Sequence, residues 1–142
     1  MITNEDLKSW LTEQGIKSDT VIDSRTGTEV HIFSHFSDAA AMNYEGVLAI
    51  PPTGHFIMIK VVGAPLEKYH PRKCMAVLQQ FNGLLNRRKT ADSYNYNVEN
   101  GRLIIVFWPE NTTTDRIHHY LDLGFDRLDF MYRNLEKLDI AD

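Results

Sequence analysis

Six histidines, a single cysteine and several closely spaced carboxylates are the residues of this 142-residue sequence that could do chemistry. His31 and His35 fall in a run that reads as a strand. There they share a face but stand roughly 13 Å apart, too far to chelate one ion together. Asp115, His119 and Asp122 project from one helix surface at i, i+4 and i+7, a spacing a metal could use and an ordinary solvated helix face shares. Cys74 with His70 would suggest a thiolate pair, but nothing supplies an orienting third group. Cys74 also lies on an apolar helical stripe, which suits a buried core cysteine. Asp126 and Asp129 are a carboxylate pair of the kind common on helix surfaces, so they say little about acid–base catalysis. There is no glycine-rich phosphate loop and no nucleophile elbow. The residues therefore call for no catalytic group, no metal and no cofactor.

A basic group formed by Arg72, Lys73, Arg87, Arg88 and Lys89, with Tyr94 and Tyr96 nearby, raises the possibility of RNA stacking on a sheet. Two observations argue against nucleic acid. The formal net charge is −4, where a general nucleic-acid or membrane-surface binder is usually basic. The strand register derived below also turns both tyrosines toward Leu103 and Ile105.

The elements that position these residues centre on Pro71 to Leu138, which reads as helix, hairpin, helix. Asn100-Gly101 lies between two runs of alternating apolar residues, the favoured pair for a two-residue type I′ turn. That turn sets Val98 opposite Leu103, Tyr96 opposite Ile105 and Tyr94 opposite Phe107 on one face. Glu99 opposes Arg102, Asn97 opposes Ile104 and Asn95 opposes Val106 on the other. Pro71 opens a helix. Its stripe is Cys74, Val77, Leu78, Phe81, Leu84 and Leu85, and Arg87-Arg88-Lys89 closes it. A second helix starts near Thr112 to Asp115. Ile117, Leu121, Gly124, Leu128, Met131, Leu135 and Leu138 then alternate four and three apart, a heptad-like seam. Gly124 within it predicts close approach of another backbone. Tyr120, Leu123, Phe125 and Phe130 add apolar surface off the seam.

Upstream, Thr3 with Asp6 forms a capping box, and Leu7, Trp10 and Leu11 make a helical face that Gly15 ends. Asp19 to Ser24 and Thr28 to Phe36 read as strands joined by a turn at 24–27. Ser37 to Glu45, with Ala39-Ala40-Ala41-Met42, reads as a helical turn or a loop. Val47 to Ile50 and Phe56 to Val62 form a hairpin around Pro51-Pro52-Thr53-Gly54. The run Phe56 to Ile59 suggests a central strand buried on both faces.

The whole is expected to be one α+β domain, residues 1–142, with an antiparallel sheet, an N-terminal helix, a central helix and a long C-terminal helix. At 43% hydrophobic residues, the chain can bury a real core. Its acidic start is no signal peptide, no apolar run approaches the ~20 residues of a membrane span, and one cysteine makes no internal disulfide. The default expectation is the cytoplasm, away from membranes.

The stretch Phe81-Asn82-Gly83-Leu84-Leu85-Asn86 at the end of a helix, followed by Tyr94 to Val106 with its Asn100-Gly101 turn, resembles the YbjN family. The Thr112-Thr113-Thr114 start of a long amphipathic helix is similar too. These proteins have the type III secretion chaperone-like fold. Against the usual three-strand first half, residues 37–50 look like an addition. The resemblance implies a non-enzymatic binding protein, often dimeric, with no catalytic residue to carry over. In secretion chaperones, clients bind as extended segments over sheet and helices; YbjN-type members are described as regulators or chaperones. Two functions follow. One is a protein-binding, chaperone-like or regulatory module. The other is a small-molecule-binding domain or enzyme, with a pocket between sheet and C-terminal helix near His31 and His35.

The hairpin's second face carries the sharpest expectation. Ile104, Val106 and Trp108 are apolar but oppose only Asn95, Asn97 and the hairpin's open end. Soluble monomers rarely keep such a patch without a use. With the surplus residues Tyr120 and Phe130, they are the expected contact surface for a second copy in a homodimer or for a protein client. The competing reading is that the first or last helix of the same chain covers them.

Overall fold

The computed structural model describes residues 2–87 and 93–137. The elements are α1 (Asn4–Glu13), β1 (Ser18–Ile22), β2 (Glu29–Ser37), β3 (Met42–Ala49), β4 (Met58–Pro65), α2 (Pro71–Asn86), β5 (Tyr96–Glu99), β6 (Arg102–Phe107) and α3 (Thr114–Lys137). The strands form one antiparallel six-stranded sheet in the order β1-β2-β3-β4-β6-β5. All three helices pack on one side of it, and the sheet's other side carries its own small apolar cluster. This is the α+β arrangement expected, with a first half of four strands.

The hairpin has the expected register. Tyr96 pairs with Ile105, Val98 with Leu103 and Glu99 with Arg102. Asn100 and Gly101 have φ of 52° and 72°, the left-handed pair a type I′ turn requires. Tyr94 meets Phe107 with ring centroids 5.7 Å apart. The capping box is present: Asp6 N–H donates to Thr3 Oγ1, and Thr3 N–H donates to Asp6 Oδ2. The seam of α3 is buried from Ile117 to Leu135, and it lies on β4 and β6; Leu138, Arg88 and Lys89 lie outside the described residues.

Several expectations are corrected. Residues 38–41 form a tight turn, and β3 already starts at Met42. Of the two readings expected there, helical turn or loop, the loop holds over 38–41: Ser37 Oγ accepts the Ala40 N–H and Ala41 takes φ +53°, so the chain reverses. Residues 42–49 make a central strand, and of the first four strands the one at the sheet's edge is β1. β4 begins at Met58; Phe56 precedes it in an isolated bridge to Glu110. In α2, Leu84 is 52% exposed. Ten residues beyond Cys74, it lies roughly 80° off the stripe's axis at 100° per residue. At Gly124 the close approach is to side chains. A Cβ there would stand 2.8 Å from Val61 Cγ2 and 3.2 Å from Phe107.

His31 is a core residue. Its ring has no exposure. Nδ1 lies 3.2 Å from Thr20 Oγ1 and Nε2 lies 3.1 Å from Asn4 Oδ1, so the imidazole ties β1 and the start of α1 to β2. Burial lowers its pKa below the ordinary histidine value, opposed by Glu29 and helped by Lys8. The unfolded chain therefore binds this proton at a higher pH than the folded one. The stability associated with neutral His31 is full above the unfolded value of 6.5 and is lost as pH falls below it. Urea unfolding between pH 7.5 and 5 is expected to show this decline, and His31→Phe should flatten it. An equal decline in the variant would assign the effect to another group.

Candidate functional site

The side of the sheet away from the helices is built by alternation along the strands. It presents Val21 from β1, Val30, Ile32 and Phe36 from β2, and Val47 and Ala49 from β3. β4 adds Met58, Lys60 and Val62; β6 adds Arg102, Ile104 and Val106. Pairing aligns them in rows. Ile32 is beside Val47, Val47 beside Lys60 and Lys60 beside Val106; one row over, Glu45, Val62 and Ile104 are neighbours. Val47, Val62 and Ile104 are buried, with Val30, Ile32, Met58 and Val106 partly buried around them. An apolar band thus crosses four strands with no helix over it among the described residues. Trp108, 56% exposed, and Phe36, 55% exposed, continue it at opposite ends.

Four charges on this side are paired within it, while Asp19, beside Ile32 on the edge strand β1, is exposed. Lys60 Nζ meets Glu99 Oε1 at 3.1 Å. Arg102 Nη1 lies 3.6 Å from Glu45 Oε1, and its Nε donates to the Gly63 carbonyl at 2.8 Å. The centre of the face is therefore apolar, with the charges of β3, β4, β5 and β6 there neutralised in plane.

The five residues expected as one contact surface divide. Ile104, Val106 and Trp108 lie on the open side. Tyr120 is 5% exposed and lies on the helix side, tilted on Phe107 at 5.4 Å between centroids. Phe130 is half-buried, edge-on to Phe81 at 5.6 Å, with Arg127 over its ring. The surplus aromatics of α3 find partners in their own chain, because α1 and α2 widen the helix layer beyond what one stripe of α3 needs. Ile104, at 6% exposure, is covered by its sheet neighbours Val47 and Val62. In compensation the face gains Val30, Ile32, Val47, Met58 and Val62. Their alternation was legible in the sequence, but which strands lie side by side was not.

Between the sheet and α3, near His31 and His35, the space is filled. His35 stacks on Phe125 at 4.0 Å, Tyr44 lies between Phe125 and Tyr132, and Phe33 meets Phe125 edge-on. Among the described residues no three His, Cys, Asp or Glu side chains gather to hold a metal ion. His118, one residue before the expected His119, pairs with Asp122 at 3.1 Å on the solvated surface of α3, while His119 packs edge-on to Tyr120. Cys74 is buried, and burial pushes its thiol pKa up, away from thiolate chemistry. Tyr96 is 3% exposed, so it offers no ring to a base. No helix among the described residues is long and apolar enough to cross a membrane.

The sequence matches no protein-family model, and no curated protein matches it. In three dimensions the chain is similar to one in the crystal structure of the ExsC–ExsE complex. The TM-score is 0.65 at 15% identity, over 93% of this chain and 92% of that one. The fold is type III secretion chaperone-like. The likeness runs over nearly the full length of both chains, so it includes the first half.

Proposed function

We propose that this protein is a single-domain, non-enzymatic protein-binding module, chaperone-like or regulatory as its YbjN resemblance implies, acting in the cytoplasm. We place its contact surface on the open side of the sheet, and a second copy as its first occupant. The observation that carries this is the apolar band across β2, β3, β4 and β6, uncovered by any helix among the described residues. The similarity to a chain of a protein–protein complex supports the same reading. The strand residues, at about 4.8 Å by about 3.4 Å each, give a face of roughly 650 Å² in projection, at the lower end of the range around ~800 Å² per partner of a standard interface. Because Lys60, Glu99, Arg102 and Glu45 are paired in plane, the centre of the face can meet a second copy without unpaired like charges there, and Asp19 stands aside on the edge strand β1. Face-to-face sheets pack about 10 Å apart with their inner side chains interdigitated.

Sedimentation tests this. Wild type is expected to be dimeric, and Val106→Asp and Trp108→Ser to weaken the dimer about tenfold or more each, with thermal stability kept because both side chains are at least partly exposed. A wild type that stays monomeric at high concentration overturns the dimer. Variants that unfold instead of dissociating would make these residues ordinary core.

A further inference from the structure

Strand β5 is the outermost on its side of the sheet, and its free edge is closed at one residue and open two residues later. The two-residue turn makes Glu99 and Arg102 a hydrogen-bonded pair, so Asn97 and Glu99 direct their backbone groups to β6, while Tyr96 and Val98 direct theirs outward. At Tyr96 those groups are taken. Its N–H donates to Asn82 Oδ1 at 2.7 Å, and its carbonyl accepts from Asn82 Nδ2 at 2.8 Å. The Asn82 amide stands where the peptide group of a further strand would lie. At Val98 no described residue takes the corresponding N–H and carbonyl.

The Val98 side chain, 39% exposed, lines a groove of about 360 Å³ between the hairpin turn, the segment 65–71 and the start of α2. Its walls include Leu66, Tyr69, Cys74 and the half-exposed Met75, with Glu67 also lining it. The Tyr69 hydroxyl is engaged by Glu136 and the Cys74 thiol is buried, so these walls act as apolar surface.

We infer that this edge and groove bind an extended segment of a partner protein that carries an apolar residue opposite Val98. An antiparallel residue opposite Val98 exchanges both hydrogen bonds with it. Cross-strand side chains lie on the same face, so that residue's side chain enters the groove. A helix has no free backbone groups to satisfy Val98. Asn82 limits the pairing to this one position, and Glu67 disfavours an acidic neighbour. The inference rests on the protein-binding reading and names the partner's conformation, but it uses the sheet's edge and not its open side.

The probe is a capped pentapeptide, Thr-Val-Leu-Val-Thr, followed by amide chemical shifts of the full chain. It is expected to shift the amides of Val98, Leu66 and Met75. N-methylation of its central leucine should weaken binding about five- to tenfold, the value of one hydrogen bond. Val98→Pro should do the same, since it removes an N–H that no ladder bond uses and edge strands tolerate proline there. Met75→Glu should abolish binding. Asn82→Ala, by freeing the Tyr96 edge, should tighten it. A peptide that leaves these amides unmoved, or whose effect survives both Val98→Pro and Met75→Glu in folded protein, overturns the inference. So does dissociation of a wild-type dimer by those two variants, which would give the edge to a second copy. Because the open-side dimer is read from Val106 and Trp108, either idea can fail while the other stands.

Discussion

Asp129→Ala is expected to lower the unfolding free energy by about 2–4 kcal/mol. Asp129 sits half-buried on α3, and its Oδ1 accepts from Ser37 Oγ at 2.6 Å and from Tyr44 Oη at 2.7 Å. Both donors are in the core, Ser37 at 4% and Tyr44 at 1% exposure. Removing the carboxylate leaves two buried hydroxyls without their acceptor, and buried unsatisfied groups cost about 1–3 kcal/mol each. Burial, then the Asp129 hydrogen bond, holds the Tyr44 phenol well above the usual tyrosine range, so it remains a donor. Asp129→Asn keeps an oxygen able to accept from both and should recover more than half of the loss, less the charge-assisted part. Urea unfolding of the three proteins decides this. A loss below about 1 kcal/mol for alanine would mean that water replaces the carboxylate. Equal losses for alanine and asparagine would mean that charge, not hydrogen-bond count, matters.

Gly124→Leu is expected to cost about 3 kcal/mol, against a helix-propensity gain of about 0.8–1 kcal/mol. The glycine sits on the buried seam where α3 lies closest to the sheet. Even a Cβ would stand 2.8 and 3.0 Å from the two methyls of Val61. Val61 cannot turn away, because a β-branched side chain on a central strand has little rotamer freedom. The helix must therefore lift from β4 and β6 and open the core on either side. Adding Val61→Ala should make room and recover about 1 kcal/mol or more beyond additivity. If the single variant unfolds at wild-type urea concentration, α3 can shift without loss and the packing described is not tight. Gly46 plays the same part for Phe33, whose ring would be 2.2 Å from an added Cβ.

The sequence by itself determined the features whose causes are local. Asn100-Gly101 specifies its turn because both residues tolerate positive φ, and the turn carries the register of Tyr96 and Ile105 with it. Thr3 and Asp6 cap α1 across three positions. The four–three spacing from Ile117 to Leu135 specifies which side of α3 is buried, because periodicity needs no partner to be read. Tertiary structure alone decided who covers whom. The alanine run at 39–41 became a turn where Ser37 and Tyr44, either side of it, meet Asp129, 92 and 85 positions away. Tyr120 and Phe130 were surplus on an isolated helix but find Phe107 and Phe81 in the folded chain. Trp108, from the same set of apolar residues, stayed exposed because α1, α2 and α3 went to the other side of the sheet. Asn82 guards the Tyr96 edge only because α2 ends beside β5. A side chain's type and spacing state what it can bury or bond, but the groups that satisfy it arrive from distant positions, and their arrival depends on strand order and helix side.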